Sequence, residues 1–141
     1  MTRPFRVLLV EDNPGDVDLI RDTLENGPHK VEMSVASDGA AASDYLLRRG
    51  RYADAERPDL ILLDLNLPGV DGRKVLAEVR MHGQLRAIPV VVLTSSDAAS
   101  DIVASYQAGA SCYVTKPGDL SEFQSAVKSI ETFWFKVAKL P

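Results

Sequence analysis

The sequence predicts an α/β domain in which a doubly wound, five-stranded parallel sheet carries helices on both faces. Three observations lead there. Five short apolar runs recur along the chain, each bounded by Asp, Gly or Pro, and each is followed by a stretch with helical spacing. Three of the runs, Val7–Val10, Leu60–Leu63 and Ile88–Leu93, are almost continuously apolar, as strands buried on both faces must be. The chain has 141 residues, enough for one domain spanning 1–141 to build a core without disulfide or metal staples.

The elements follow in order. Strands are expected at Phe5–Val10, Val31–Ala36, Leu60–Leu63, Ile88–Leu93 and Cys112–Val114. Asn13 followed by Pro14 reads as a cap and first turn, after which Val17, Ile20 and Leu24 share a face. Asp38 can cap a second helix carrying Ala42, Tyr45 and Leu46, and Asp71 a third whose Val75, Leu76 and Val79 point inward. A fourth helix begins near Asp97, carries Ile102, Val103 and Tyr106, and stops at Gly109. The fifth opens near Asp119 and runs on, slightly extended, along a stripe of Leu120, Phe123, Val127, Ile130, Trp134 and Val137. The clean alternation of Val31–Val35 and the mixed Ser111–Thr115 segment read as edges. Strands 2 and 5 outside with 1, 3 and 4 inside give the flavodoxin-like order 2-1-3-4-5.

Composition narrows function before any site is considered. Sixteen Lys+Arg against twenty Asp+Glu leave a net charge of −4, which argues against a nucleic-acid partner and against an anionic membrane surface. The single cysteine, Cys112, rules out an intrachain disulfide and reads as a small buried apolar residue. His29 and His82 lack metal-ligand spacing and read as surface residues. The first apolar run is too short for a signal peptide or a membrane span, so a cytoplasmic location is expected.

Parallel sheets of this kind build their sites at the carboxyl ends of the strands, beside the point where strand order reverses. Strand 1 ends in Glu11-Asp12, strand 3 in Asp64, strand 4 in Thr94 and strand 5 in Thr115-Lys116-Pro117. Three converging carboxylates repel one another unless a cation offsets them. Oxygen donors without His or Cys select Mg²⁺ or a similar ion. A carboxylate can attack phosphorus to give an aspartyl phosphate, and Lys116 with a Thr94 hydroxyl can stabilise the transferred group. Taken singly, Asp12 and Asn13 are ordinary caps, Asp64 a turn entry and Lys116 a solvated lysine. Four strand ends carrying the required types in the required order defeat those readings together.

Glu11-Asp12-Asn13, Leu62-Leu63-Asp64 through Gly72, Thr94-Ser95-Ser96 and Tyr113-Val114-Thr115-Lys116-Pro117 resemble the receiver domains of two-component response regulators, over essentially the whole chain. The resemblance implies that Asp64 is the phosphoacceptor, served by a sensor histidine kinase. It implies Mg²⁺ held by Asp12, Asp64 and the backbone carbonyl of Asn66, with Glu11 acting through water. Lys116 would pair with the phosphoryl group, Thr94 and Tyr113 would form the switch, and the bond before Pro117 would be cis. The opening Val10–Asp16, the long Arg48–Pro58 connection and the ending from Phe133 are similar to stand-alone regulators partnered with bacterial phytochromes. Those regulators commonly form homodimers. Trp134 continues the stripe of helix 5, so Phe133 or Phe135 should be partly exposed, and the triplet Phe133-Trp134-Phe135 is the expected dimer or partner face. With no effector domain in the sequence, the expected output is a phosphorylation-dependent change of a protein-binding surface.

Two other classes are weaker. An aspartate-nucleophile phosphatase would want a second carboxylate two residues after Asp64, where Asn66 stands. A flavin-binding or purely scaffolding module of the same fold would have no use for the acidic strand ends, which repel an anionic flavin phosphate.

Overall fold

A computed structural model describes residues 3–141. Its five parallel strands are β1 (Phe5–Val10), β2 (Val31–Ala36), β3 (Leu60–Leu63), β4 (Val90–Thr94) and β5 (Cys112–Thr115), in the order β2-β1-β3-β4-β5. The helices are α1 (Pro14–Glu25), α2 (Gly39–Leu46), α3 (Gly72–Met81), α4 (Ala99–Gln107) and α5 (Leu120–Thr132). The predicted architecture is therefore the observed one. The fourth strand starts two residues later than its apolar run: Pro89 has no N–H to give a ladder, and it and Ile88 form a buried approach to the strand.

Two hydrophobic layers sandwich the sheet. On one face Leu8, Val10, Ile61, Leu63, Val90 and Val92 meet Ala42, Leu46, Val75, Leu76 and Val79 of α2 and α3. On the other, Val7, Leu9, Leu60, Leu62, Val91 and Leu93 meet Ile20 and Leu24 of α1 and Phe123, Val127 and Ile130 of α5. Alternate residues of one strand supply opposite layers, which is why the three central runs had to be apolar throughout. The register aligns Val10 with Leu63 and Leu63 with Val92, so β1, β3 and β4 end together on one rim.

Side-chain caps start the helices after those ends. Asn13 accepts from Asp16 N–H, Asp38 from Ala41 N–H, Asp71 from Arg73 N–H and Asp119 from Ser121 N–H. The fourth helix departs from expectation. Its N-cap is Ala98, without a side-chain bond, and Asp97 lies outside it. Val103 and Tyr106 are exposed and the buried member of the helix is Ser105, because α4 lies over the edge strand β5, where there is little sheet left to cover. Gly109 closes this helix with φ +105°, as its sequence position suggested.

The carboxyl end of α5 needs a second correction. Phe133–Val137 form a π-helical turn, with Ala138 N–H donating to the Phe133 carbonyl at 2.7 Å. One extra residue per turn moves the inward position after Ile130 from Trp134 to Phe135. Phe135 is buried and stacks on Phe5 with ring centroids 4.3 Å apart, Trp134 is half-buried, and Phe133 is exposed. Phe135 thus belongs to the core and leaves the expected partner face to its neighbours. Cys112 and His29 are half-buried, the latter because its ring packs edge-on against Phe5 and Phe135.

Candidate functional site at the carboxyl ends of the strands

Glu11, Asp12 and Asp64 meet where β1 and β3 end, each with a carboxylate oxygen within 4.8 Å of the others. Glu11 and Asp64 are buried and Asp12 is exposed at the mouth. Glu11 is anchored at both oxygens. One accepts from the Asp12 and Asn13 backbone N–H groups at 3.1 and 3.2 Å, the other from the Lys116 ammonium at 2.5 Å. Asp64 is equally defined, one oxygen accepting from the Asn66 N–H at 3.0 Å and the Thr94 hydroxyl at 2.9 Å, the other from Lys116 at 3.0 Å.

Lys116 reaches this point from the loop after β5, where its N–H donates to the Thr94 carbonyl at 2.7 Å and continues the β4–β5 ladder. The bond to Pro117 is trans, as is every peptide bond among the described residues, which corrects the expected cis isomer. Trans is the lower-energy default for such a bond.

Lys116 offsets part of the negative charge gathered here. Burial would lower the Lys116 ammonium, but the hydrogen bonds it donates to Asp16, Glu11 and Asp64 overcome that and hold the lysine charged, above its usual range. Burial would likewise raise Asp64, yet the Asn66 N–H, Lys116 and Thr94 keep its carboxyl below the ordinary carboxylate value. For Glu11, burial wins over the Lys116 hydrogen bond and pushes it up to about 7. One carboxylate therefore remains an available oxygen nucleophile while its neighbour takes a proton readily. The donor set is oxygen throughout, with excess negative charge, and so fits a hard divalent cation. Asp12, with no hydrogen bond to its carboxylate among the described residues, is the readiest ligand.

The sequence brought together Glu11, Asp12, Asp64, Thr94 and Lys116, and the structure does so too. Asn66 sits beside them, its side-chain amide donating to the Thr94 hydroxyl at 3.4 Å. Tyr113 is half-buried and its hydroxyl donates to the Ser96 carbonyl at 2.8 Å, two residues beyond Thr94. Phe133, Trp134 and Phe135 are remote from this rim, beyond the last turn of α5. One residue was missed: Asp16, whose carboxylate accepts from Lys116 at 2.8 Å. Its signal was partial: the third position of a helix entered directly from β1 leans back toward the strand end, but the partner it meets is set by where the Lys116 side chain bends.

Residues 7–128 match the response regulator receiver domain, and the chain belongs to that family. It is a signalling protein of the two-component class. It is 44% identical over 138 residues to the response regulator Rcp1 of Synechocystis sp., covering 98% of this chain and 94% of that protein. Its fold superposes on the phosphorylated cyanobacterial phytochrome response regulator RcpA with a TM-score of 0.96, at 47% identity and 99% coverage of both chains. The Mn²⁺-bound form of Rcp1 gives 0.95, at 43% identity, over 98% of this chain and 99% of that one. Among the described residues no helix is long and apolar enough to cross a membrane.

Proposed function

We propose that the protein is a phosphorylation-controlled switch in which Asp64 accepts a phosphoryl group from a sensor histidine kinase. The carrying observation is the state of Asp64. It is 6% exposed, fixed by three donors and kept ionised, beside two further carboxylates. An Asp64 oxygen attacks phosphorus, the bond from phosphorus to the donor's imidazole nitrogen breaks, and the nitrogen keeps the electron pair. Lys116 and Thr94 both bond Asp64 and would hold the oxygens of the arriving group. Asp12, Asp64 and the Asn66 carbonyl would hold Mg²⁺, with Glu11 acting through water. When bound, that ion neutralises charge on the phosphoryl oxygens.

The kinase is taken to be of phytochrome type, because RcpA is a phytochrome response regulator of nearly the same length. Thr94 and Tyr113 would carry the change to the α4–β5–α5 surface. A homodimer through the end of α5 rests on exposed Phe133 and Val137 with half-buried Trp134. Sedimentation should show self-association weakened by Phe133→Ala. A cytoplasmic location without nucleic-acid or membrane partners completes the reading.

The decisive experiment is labelling by phosphoramidate or acetyl phosphate. Wild type should acquire a Mg²⁺-dependent, hydroxylamine-labile phosphate, and Asp64→Asn should acquire none. Label persisting in that variant would end the assignment of Asp64.

A further inference from the structure

The Lys116 ammonium has three N–H donors and all three are used, on Glu11 at 2.5 Å, Asp16 at 2.8 Å and Asp64 at 3.0 Å. The lysine side chain is 7% exposed and Glu11 is 2% exposed, whereas the Asp16 side chain is 26% exposed at the pocket edge. Two of these three carboxylates stand on rigid elements. Glu11 directly follows β1, its N–H bonded to the Ala36 carbonyl and its carboxylate pinned by two backbone N–H groups, and Asp16 lies in the first turn of α1. A lysine reaches its target through four rotatable bonds and loses that freedom when it must be aimed. Two fixed acceptors on one ammonium leave its third N–H a single direction, and that direction is Asp64.

We propose that Asp16 is a positioning residue that, with Glu11, tethers Lys116 and aims its remaining donor at the group on Asp64. The role rests on the reading of Asp64 as the phosphoacceptor and goes beyond it, because Asp16 touches neither Asp64 nor the incoming phosphoryl. When a phosphoryl group joins the Asp64 oxygen, one of its oxygens inherits the Lys116 donor. Glu11 and Asp16 keep the other two. Asp16 thus removes reorientation of the lysine from the transfer step.

The tether has a readout that needs no phosphodonor. In metal-free wild type the Lys116 ammonium should give a resolved, exchange-protected ¹⁵N signal, assigned by its loss in Lys116→Arg. Asp16→Ala should abolish the protection, and Asp16→Glu should restore much of it. The cap is untouched, because Asn13 bonds the Asp16 backbone N–H and not its side chain. With phosphoramidate and Mg²⁺, Asp16→Ala should lower the maximal labelling rate about tenfold without raising the half-saturating donor concentration. Loss of a negative charge can only favour an anionic donor. Labelling at the wild-type rate in Asp16→Ala would overturn the proposal. So would slower labelling with the ammonium still protected, since Asp16 would then act by a route other than Lys116. A wild type that never labels, yet shows the protected signal lost in Asp16→Ala, would condemn the phosphoacceptor reading and uphold the tether.

Discussion

Gly72 offers a test of how rigidly the fold presents Asp64. It begins α3 with ordinary negative φ, so alanine meets no backbone strain there and would gain about 0.5–1 kcal/mol of helix propensity. The contacts oppose this gain. A Cβ at Gly72 would lie 2.3 Å from the Asp64 carbonyl oxygen and 2.8 Å from Leu65 Cα, where ordinary contact begins at 3.4 Å. Both obstacles are backbone, and the Gly72 N–H already bonds the Leu65 carbonyl at 3.2 Å, so neither side can rotate away. The Asp64 peptide must recede by about 1 Å, an overpacking that costs about 1–3 kcal/mol and outweighs the propensity gain. Gly72→Ala should therefore lower the urea midpoint by a net loss of about 1–2 kcal/mol at unchanged m. A reacting carboxylate misplaced by that distance should also label with phosphoramidate on the order of 100-fold more slowly. A variant as stable as wild type that labels at the wild-type rate would refute the reasoning, since the β3–α3 segment would then be free to yield.

Two further outcomes follow from the structure. Asp59 accepts from the Arg3 guanidinium at 2.7 Å and the Arg6 N–H at 2.9 Å, and these outweigh burial to hold its carboxyl below the usual 3.8. A carboxyl depressed in the folded state stabilises above its unfolded value and loses that contribution as pH falls through the folded one. Thermal melts of Asp59→Asn should thus show a loss at pH 7 that fades toward pH 2, and an equal loss at both would contradict the pairing. Phe135→Ala should cost about 3 kcal/mol in denaturation, while Phe133→Ala stays within about 0.5 kcal/mol in the monomer. Equal sensitivity would refute the π turn.

The fold was legible because burial on two faces demands apolar residues along Val7–Val10 of β1, all of β3 and Val90–Leu93 of β4, a requirement that leaves a clear trace. The site was legible because a parallel sheet gathers strand ends, so Glu11, Asp12, Asp64, Thr94 and Lys116 could be assembled without knowing any distance. What escaped notice depends on departures from the average period or on reach. A π turn changes which of Trp134 and Phe135 faces inward, and no spacing rule based on 3.6 residues anticipates it. Asp16 was read as part of a resemblance, not as a partner of Lys116, because a contact across 100 residues depends on where a long side chain bends. The apolar look of α4 misled for a different reason: an edge strand offers too little surface to bury Val103 and Tyr106, whatever their periodicity.

That last feature bears on how a charge at Asp64 could reach the surface. The Thr94 hydroxyl bonds Asp64, and the residues just after Thr94 are held by few, polar ties. Tyr113 donates to the Ser96 carbonyl, the Ser96 hydroxyl donates to Asp101 at 2.5 Å, and Asp101 meets the Arg73 guanidinium at 2.5 Å, which also pairs with Asp71. These bonds join the loop after β4 to the first turns of α3 and α4, and each can break without opening a cavity. By contrast α3 and α5 sink Val75, Leu76 and Val79, or Phe123, Val127 and Ile130, into the two cores. Elements with the fewest buried apolar contacts are the least expensive to displace. The fold thus sets its most lightly anchored helix one hydrogen-bonded loop away from Asp64.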